Sequence, residues 1–317
     1  MKKEAIPTLN EIVKQNRWRS FYLDNHRDHP RVLNTNPSVI EFNNKILVAT
    51  RKLKNLSTKL AFSWRENKSS IVLHYLDLDS KKGEMVREIS PEITDKFHSL
   101  EDPRLNVNNG KLEVWACGWH FSQTKRVIIQ QILITLDQDF SIEGYEIFDQ
   151  YEDNIYVPEK NWQPILQTSC YIYKAHQQHI VINRNTNNKF ISKGLSWKYG
   201  DIHGGTQAIE FNGNRLCFFQ SSLQMNPSEV KKTQFPSKYF MGAYIFENKP
   251  PFKILKHTKH PIIQASFDNP SVYGSPAVIF PSGILNYKNE IIISIGVNDC
   301  SSFILRIPEK EIKDLLK

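Results

Sequence analysis

No segment of this 317-residue chain approaches the roughly 20 consecutive apolar residues that a membrane-spanning helix needs. Residues 1–19 carry charges throughout and hold no apolar stretch of signal-peptide length, so a reducing cytoplasm is the expected setting. Cysteine is scarce. Cys117, Cys170, Cys217 and Cys300 lie far apart, and none has the short paired spacing of a zinc site or a redox motif, so neither a structural metal nor a cofactor is expected. Cys117, Cys170 and Cys217 stand in apolar, strand-like contexts, where a thiol packs as a small hydrophobe. Helix signals are also few, at 9–15 and, after Pro308, at 309–317. Clustered positive charge is missing as well. The net charge of +8 comes from scattered residues, densest at 51–54 and 253–259, with no one-sided basic stripe. Nucleic acid is therefore not an expected partner, and an anionic small substrate steered into a positive cleft explains the balance.

What the chain does contain is strand. Hydrophobic residues at 40% and charged residues at 23% mark a globular protein, and the length allows two domains or one large all-β domain. Short runs rich in β-branched and aromatic residues recur at 46–50, 71–76, 112–117, 128–136, 170–173, 179–182, 216–219, 239–246, 291–295 and 303–307. The turn pairs Asn43-Asn44, Asn109-Gly110 and Asn212-Gly213 sit directly before several of them.

An internal period runs through these strands. Five times a polar or Gly/Pro-containing tag precedes a hydrophobic hairpin: Asn36-Pro37-Ser38, Glu101-Asp102-Pro103-Arg104, Glu159-Lys160-Asn161-Trp162, His203-Gly204-Gly205-Thr206 and Tyr273-Gly274-Ser275-Pro276. Spacings of about 40 to 70 residues fit four-stranded blades with unequal loops. The expected fold is an all-β, five-bladed β-propeller over residues 1–317 as a single domain, with blades over about 36–307 and short helical extensions at both ends. In a propeller the inner strands start at a central funnel, so Arg51, Asp102, Arg104, Lys160, Asn161 and His203 are expected to converge. Pro37, Pro103, Gly204 and Gly274 there shape the chain, and Asp102, before Pro103, is expected in extended backbone. The charged residues need partners or a ligand to offset their desolvation, and a ligand site is the preferred reading.

With these tags in order, the sequence resembles the β-mannoside phosphorylases of glycoside hydrolase family 130 and the related propeller mannosyltransferase/phosphorylases of protozoan parasites. The likeness runs from about residue 36 to 307. Its carriers are Asn36-Pro37-Ser38-Val39 with Ala49-Thr50-Arg51, then Glu101-Asp102-Pro103-Arg104, Glu159-Lys160-Asn161-Trp162 and His203-Gly204-Gly205-Thr206. Tyr239-Phe240-Met241-Gly242-Ala243-Tyr244, Pro250-Pro251-Phe252 and Gly296-Val297-Asn298-Asp299 complete them. The resemblance implies Asp102 as general acid and Arg51, Arg104 and Lys160 as phosphate or diphosphate ligands, with Asn161, His203, Gln220, Tyr239 and Asp299 also binding substrate. Two departures stand out: the resembling enzymes often have Arg where this chain has His203, and His in the strand that here reads Phe218-Phe219-Gln220-Ser221.

Glycosyl transfer passes through an oxocarbenium-like state, and hydrolysis usually needs two carboxylates. When phosphate is the nucleophile or leaving group, one carboxylate and a cationic cradle suffice. The expected activity is inverting transfer of a hexose, mannose by resemblance. The donor is a sugar phosphate or sugar nucleotide and the acceptor a saccharide; phosphorolysis is the reverse. The two departures favour an activated donor over free phosphate. Glycoside hydrolysis, with Asp201 or Asp299 as second carboxylate, and a catalytically silent carbohydrate-binding propeller are the alternatives.

Overall fold

The computed structural model describes residues 6–25, 32–54, 68–124, 126–148, 160–225, 237–266 and 277–317. Five antiparallel sheets form the blades of a β-propeller. The first blade comprises Val32–Phe42, Lys45–Lys54, Ser69–Asp77 and Lys82–Ile89, and the second Ser99–Asn108, Lys111–Phe121, Val127–Leu136 and Ile142–Ile147. The third is built from Gln163–Pro164, Cys170–Lys174, Gln178–Asn183 and Lys189–Lys193. Asp201–Gly205, Asn214–Gln224, Ser237–Phe246 and Ile254–His257 make the fourth, with Ile209–Phe211 and Ile263–Gln264 added. The fifth joins Ile279–Tyr287, Glu290–Val297 and Ser301–Pro308 to Arg19–Asn25.

That last strand lies before the expected start of the blades near residue 36. Arg19–Asn25 pairs with Ser301–Pro308 across nearly the whole sequence, so the N-terminal segment supplies the outer edge of the fifth blade as well as a helix. The two α-helices among the described residues, Leu9–Lys14 and Glu309–Leu315, fall where sequence signals put them. Thr8 caps the first, with Glu11 completing a capping box. None of the described helices is long and apolar enough to cross a membrane.

Burial grades across each blade. Inner strands such as Ser99–Asn108 are buried almost throughout, whereas the outermost strand Lys189–Lys193 alternates exposed and half-buried residues. The turn pairs named from the sequence all have positive φ: Asn43 and Asn44 at 53° and 57°, Asn109 and Gly110 at 51° and 76°, and Asn212 and Gly213 at 51° and 77°. That geometry suits the right-handed twist of a two-residue hairpin and favours Asn and Gly. Hydrogen bonds stitch neighbouring inner strands together: Leu105 N to Ser38 Oγ, Gln163 Nε2 to Thr206 O, and Gln207 Nε2 to both Val39 O and Ile284 O.

Candidate active site

The tags are the places where the inner strands bulge. Register shifts fall between Thr35 and Ser38, between Glu101 and Arg104, and between Ile202 and Gly205. Each contains a residue in left-handed backbone: Asn36 at φ 50°, Asp102 at 52° and Gly204 at 88°. Asn161, in the third tag, is at 65°. The extended backbone expected for Asp102 is therefore not what forms. The bulge imposes a left-handed conformation despite Pro103, in a region that Asn, Asp and Gly tolerate best. The fifth tag, Tyr273-Gly274-Ser275-Pro276, and Glu159 lie outside the described residues.

The blades meet around a cavity of about 630 Å³ whose walls come from all five. Asp102, Arg51, Lys160, Asn161, His203, Gln220, Tyr239 and Asp299 all line it. Arg104 does not. Its side chain has no exposed surface and lies behind the wall. There Nε donates to Gly205 O (2.5 Å), one terminal nitrogen to Asp102 O (3.1 Å) and the other to Asn161 Oδ1 (3.3 Å). Its guanidinium stacks 5.3 Å from the Phe280 ring centroid. Arg104 thus lies behind the wall and not among the residues lining the cavity, where a phosphate ligand was expected. Asp201, the other acid considered from sequence, is exposed and sits 3.4 Å from His176 Nδ1.

Glu101 and Asn36 are among the lining residues for which the sequence suggested no chemical role. Glu101 accepts from an Arg51 terminal nitrogen at 2.6 Å, while Arg51 Nε donates to Ser69 Oγ at 3.3 Å. Asn36 Nδ2 donates to Asp102 Oδ1 at 2.7 Å and to Asp299 Oδ1 at 3.4 Å. Thr35 Oγ1 donates to Asn36 Oδ1 at 3.2 Å, which fixes the amide orientation. The signal for both was membership of a tag, since bulged residues face the funnel.

Three acids, Glu101, Asp102 and Asp299, and three amines or guanidinium groups, Arg51, Lys160 and Lys174, share this cavity. Desolvation raises the Glu101 carboxyl above its ordinary range, and neighbouring Asp102 and Asp299 add to this against the pull of Arg51. Desolvation likewise raises Asp299, with Asp102 contributing. For Lys160, desolvation works against the charge, yet Asp102 and Glu101 hold its pKa above the ordinary value. His203 is held below its ordinary range, first by desolvation and then by Lys160. A wall that pairs one proton-labile acid pocket with fixed cations can protonate a leaving oxygen and hold an anion.

No protein-family model matches the sequence, and no curated protein matches it. The fold is shared with mannoside phosphorylases. A β-1,2-mannobiose phosphorylase from Listeria innocua, solved with β-1,2-mannobiose, superposes with a TM-score of 0.62 at 16% identity, covering 93% of this chain and 98% of its own. A mannose phosphorylase from Leishmania mexicana, solved with a phosphate ion, gives 0.58 at 14% identity over 93% and 91%. A GDP-Man-dependent mannosyltransferase from the same organism gives 0.57 at 13% identity over 95% and 94%. At such identities the likeness to the mannoside-phosphorylase propeller is one of fold.

Proposed function

We propose that this propeller is a carbohydrate-active enzyme that transfers a hexosyl group, mannose by its fold neighbours, with inversion. It uses a sugar phosphate or sugar nucleotide as donor and a saccharide as acceptor, or runs the reverse phosphorolysis. The observation that carries this reading is Asp102 on the wall of a five-blade cavity together with Arg51 and Lys160. Asp102 acts as general acid towards the leaving oxygen, or as base towards the acceptor hydroxyl in the synthetic direction. Lys160 and Arg51 hold the phosphate, and Asn36 orients the acid through its 2.7 Å bond. Arg104 contributes by holding the Asp102 carbonyl and the Asn161 amide.

The test is to incubate purified protein with GDP-mannose, with mannose 1-phosphate, and with mannobiose plus orthophosphate, each with saccharide acceptors where needed. Release of nucleotide or phosphate, or formation of sugar phosphate, should fall about 10²- to 10⁴-fold in Asp102→Asn, which keeps the shape and removes proton transfer. Turnover within about threefold of wild type, in a variant that melts normally, would make Asp102 a structural residue. Saccharide binding without any turnover would favour a silent binding propeller.

One observation favours a second reading, glycoside hydrolysis. Asp299 shares the Asn36 amide with Asp102, so their Oδ1 atoms lie no further apart than those two bonds combined. A second carboxylate so close falls short of the roughly 6.5–9.5 Å gap that leaves room for a base-activated water, and is nearer the roughly 5–5.5 Å spacing at which it acts as nucleophile in a retaining hydrolase. Phosphate-independent release of mannose from mannobiose, lost in Asp299→Asn, distinguishes it.

A further inference from the structure

The bulges that build the cavity open each inner strand to the strand behind it, and they do so at equivalent positions in three blades. In the first blade Thr35 pairs with Arg51 and Ser38 with Ala49, which leaves Thr50 opposite the bulge. In the second, Glu101 pairs with Cys117 and Arg104 with Trp115, which leaves Ala116. In the fourth, Ile202 pairs with Ser221 and Gly205 with Phe219, which leaves Gln220. Of these three, Gln220 alone reaches the cavity wall. It is 3% exposed, and its Oε1 has no hydrogen-bond partner. Thr50, by contrast, donates to Val72 O, and alanine has no side-chain polar atom to satisfy.

A buried amide oxygen without a partner is costly, and such atoms are usually completed by a ligand or water. What completes a carboxamide is constrained by its chemistry, because it presents a donor and an acceptor side by side. An ionised phosphate oxygen accepts only, so it can serve Nε2 but not Oε1, which would need one of the phosphate's protonated oxygens. A hydroxyl, or a vicinal pair of hydroxyls, can donate to Oε1 and accept from Nε2. Turning the amide over exchanges the two atoms and leaves the same need.

The surroundings agree. His203 Nε2 is 2.7 Å from Ser222 Oγ, and desolvation, with Lys160 adding to it, lowers the ring's pKa below its ordinary value. Desolvation raises the Tyr239 phenol above its ordinary value, against the pull of Lys160. The His203 and Tyr239 rings lie 6.4 Å apart, beside Gln220 on the same wall. On this wall the polar side chains of the fourth blade are His203, Gln220 and Tyr239, none a fixed cation, whereas Arg51 and Lys160 belong to the first and third blades.

We propose that Gln220, with His203 and Tyr239, forms a hydroxyl-reading subsite on the fourth blade, adjoining the anion subsite at Arg51 and Lys160, and that Gln220 sets specificity for the sugar and not for the phosphate. This inference rests on the carbohydrate-active reading of the same cavity. The experiment is isothermal titration calorimetry of D-mannose and of orthophosphate, separately, against wild type and Gln220→Leu, with thermal melting as a folding control. The expected result is at least a tenfold loss of mannose affinity with orthophosphate affinity within about twofold. Should the Leu variant melt early, the nearly isosteric Gln220→Met is read in the same way. A fall in orthophosphate affinity, alone or in parallel with mannose, overturns the assignment, as does unchanged mannose affinity. Wild-type protein that binds neither ligand would instead remove the carbohydrate-active reading, and this subsite with it.

Discussion

Single residues in this protein owe their roles to which side of a wall they face. Lys160 presents its amine to the cavity, whereas Arg104 spends its donors on Gly205 O, Asp102 O and Asn161 Oδ1. The two cations therefore fail differently. Lys160→Ala should weaken orthophosphate binding tenfold or more in calorimetry and shift melting little. Arg104→Ala strips buried acceptors of their donors and should cost roughly 3–5 kcal/mol in denaturant unfolding; comparable stability in the two variants would reject this division. His179 is a third case. It is fully buried, its Nδ1 lies 2.8 Å from Phe252 O, and burial lowers its pKa from 6.5 to about 4. Between those values the unfolded chain binds more protons than the folded one, so stability is full above about pH 6.5 and is lost as pH falls towards about 4. The loss should be on the order of 2–4 kcal/mol. His179→Gln, which keeps a donor for the Phe252 carbonyl, should flatten that part of the stability profile measured by urea unfolding at successive pH values.

At the scale of elements, the bulge is the device that turns a repeated strand into a site. Gly204 shows how tightly it is built: its φ is 88°, and a Cβ there would lie 2.5 Å from Asn161 O. Gly204→Ala should cost about 1–3 kcal/mol in backbone conformation alone and displace Asn161, so both the melting temperature and phosphate affinity should fall. Unaltered melting would mean that the third and fourth tags are not in contact as described. Much of this level was legible in the sequence. Asn-Gly and Asn-Asn pairs announce hairpins because few other residues tolerate two successive positive φ values, and the five tags announced five blades. Which side each tag residue faces was not legible. Simple alternation puts residues 102 and 104 on one face, but the extra residue of a bulge shifts the parity. That is why Asp102 looks into the cavity and Arg104 away from it. The pairing of Glu101 with Arg51 and of Asn36 with two acids joins tags from different blades, and no local pattern encodes such distances.

For the whole molecule, closure of the ring depends on its ends. Arg19–Asn25 supplies the outer strand of the fifth blade. Nearby, Trp18 Nε1 donates to Glu311 Oε2 at 2.7 Å across 293 residues of sequence, and Trp18 packs with Leu9, Ile12, Ile312 and Leu316. Trp18→Ala should cost about 3–5 kcal/mol and expose the Ser301–Pro308 edge, read as a lower melting temperature with increased aggregation; an unchanged melting point would separate closure from stability. The same arrangement bears on how the chain is made. A ribosome releases the strand Arg19–Asn25 about 280 residues before its partner Ser301–Pro308. At typical elongation rates the first strand waits roughly a quarter of a minute to a minute with its pairing edge open. The nascent protein is therefore most vulnerable to wrong partners while four blades are already complete, and a chaperone that shields one short strand would protect it through that interval.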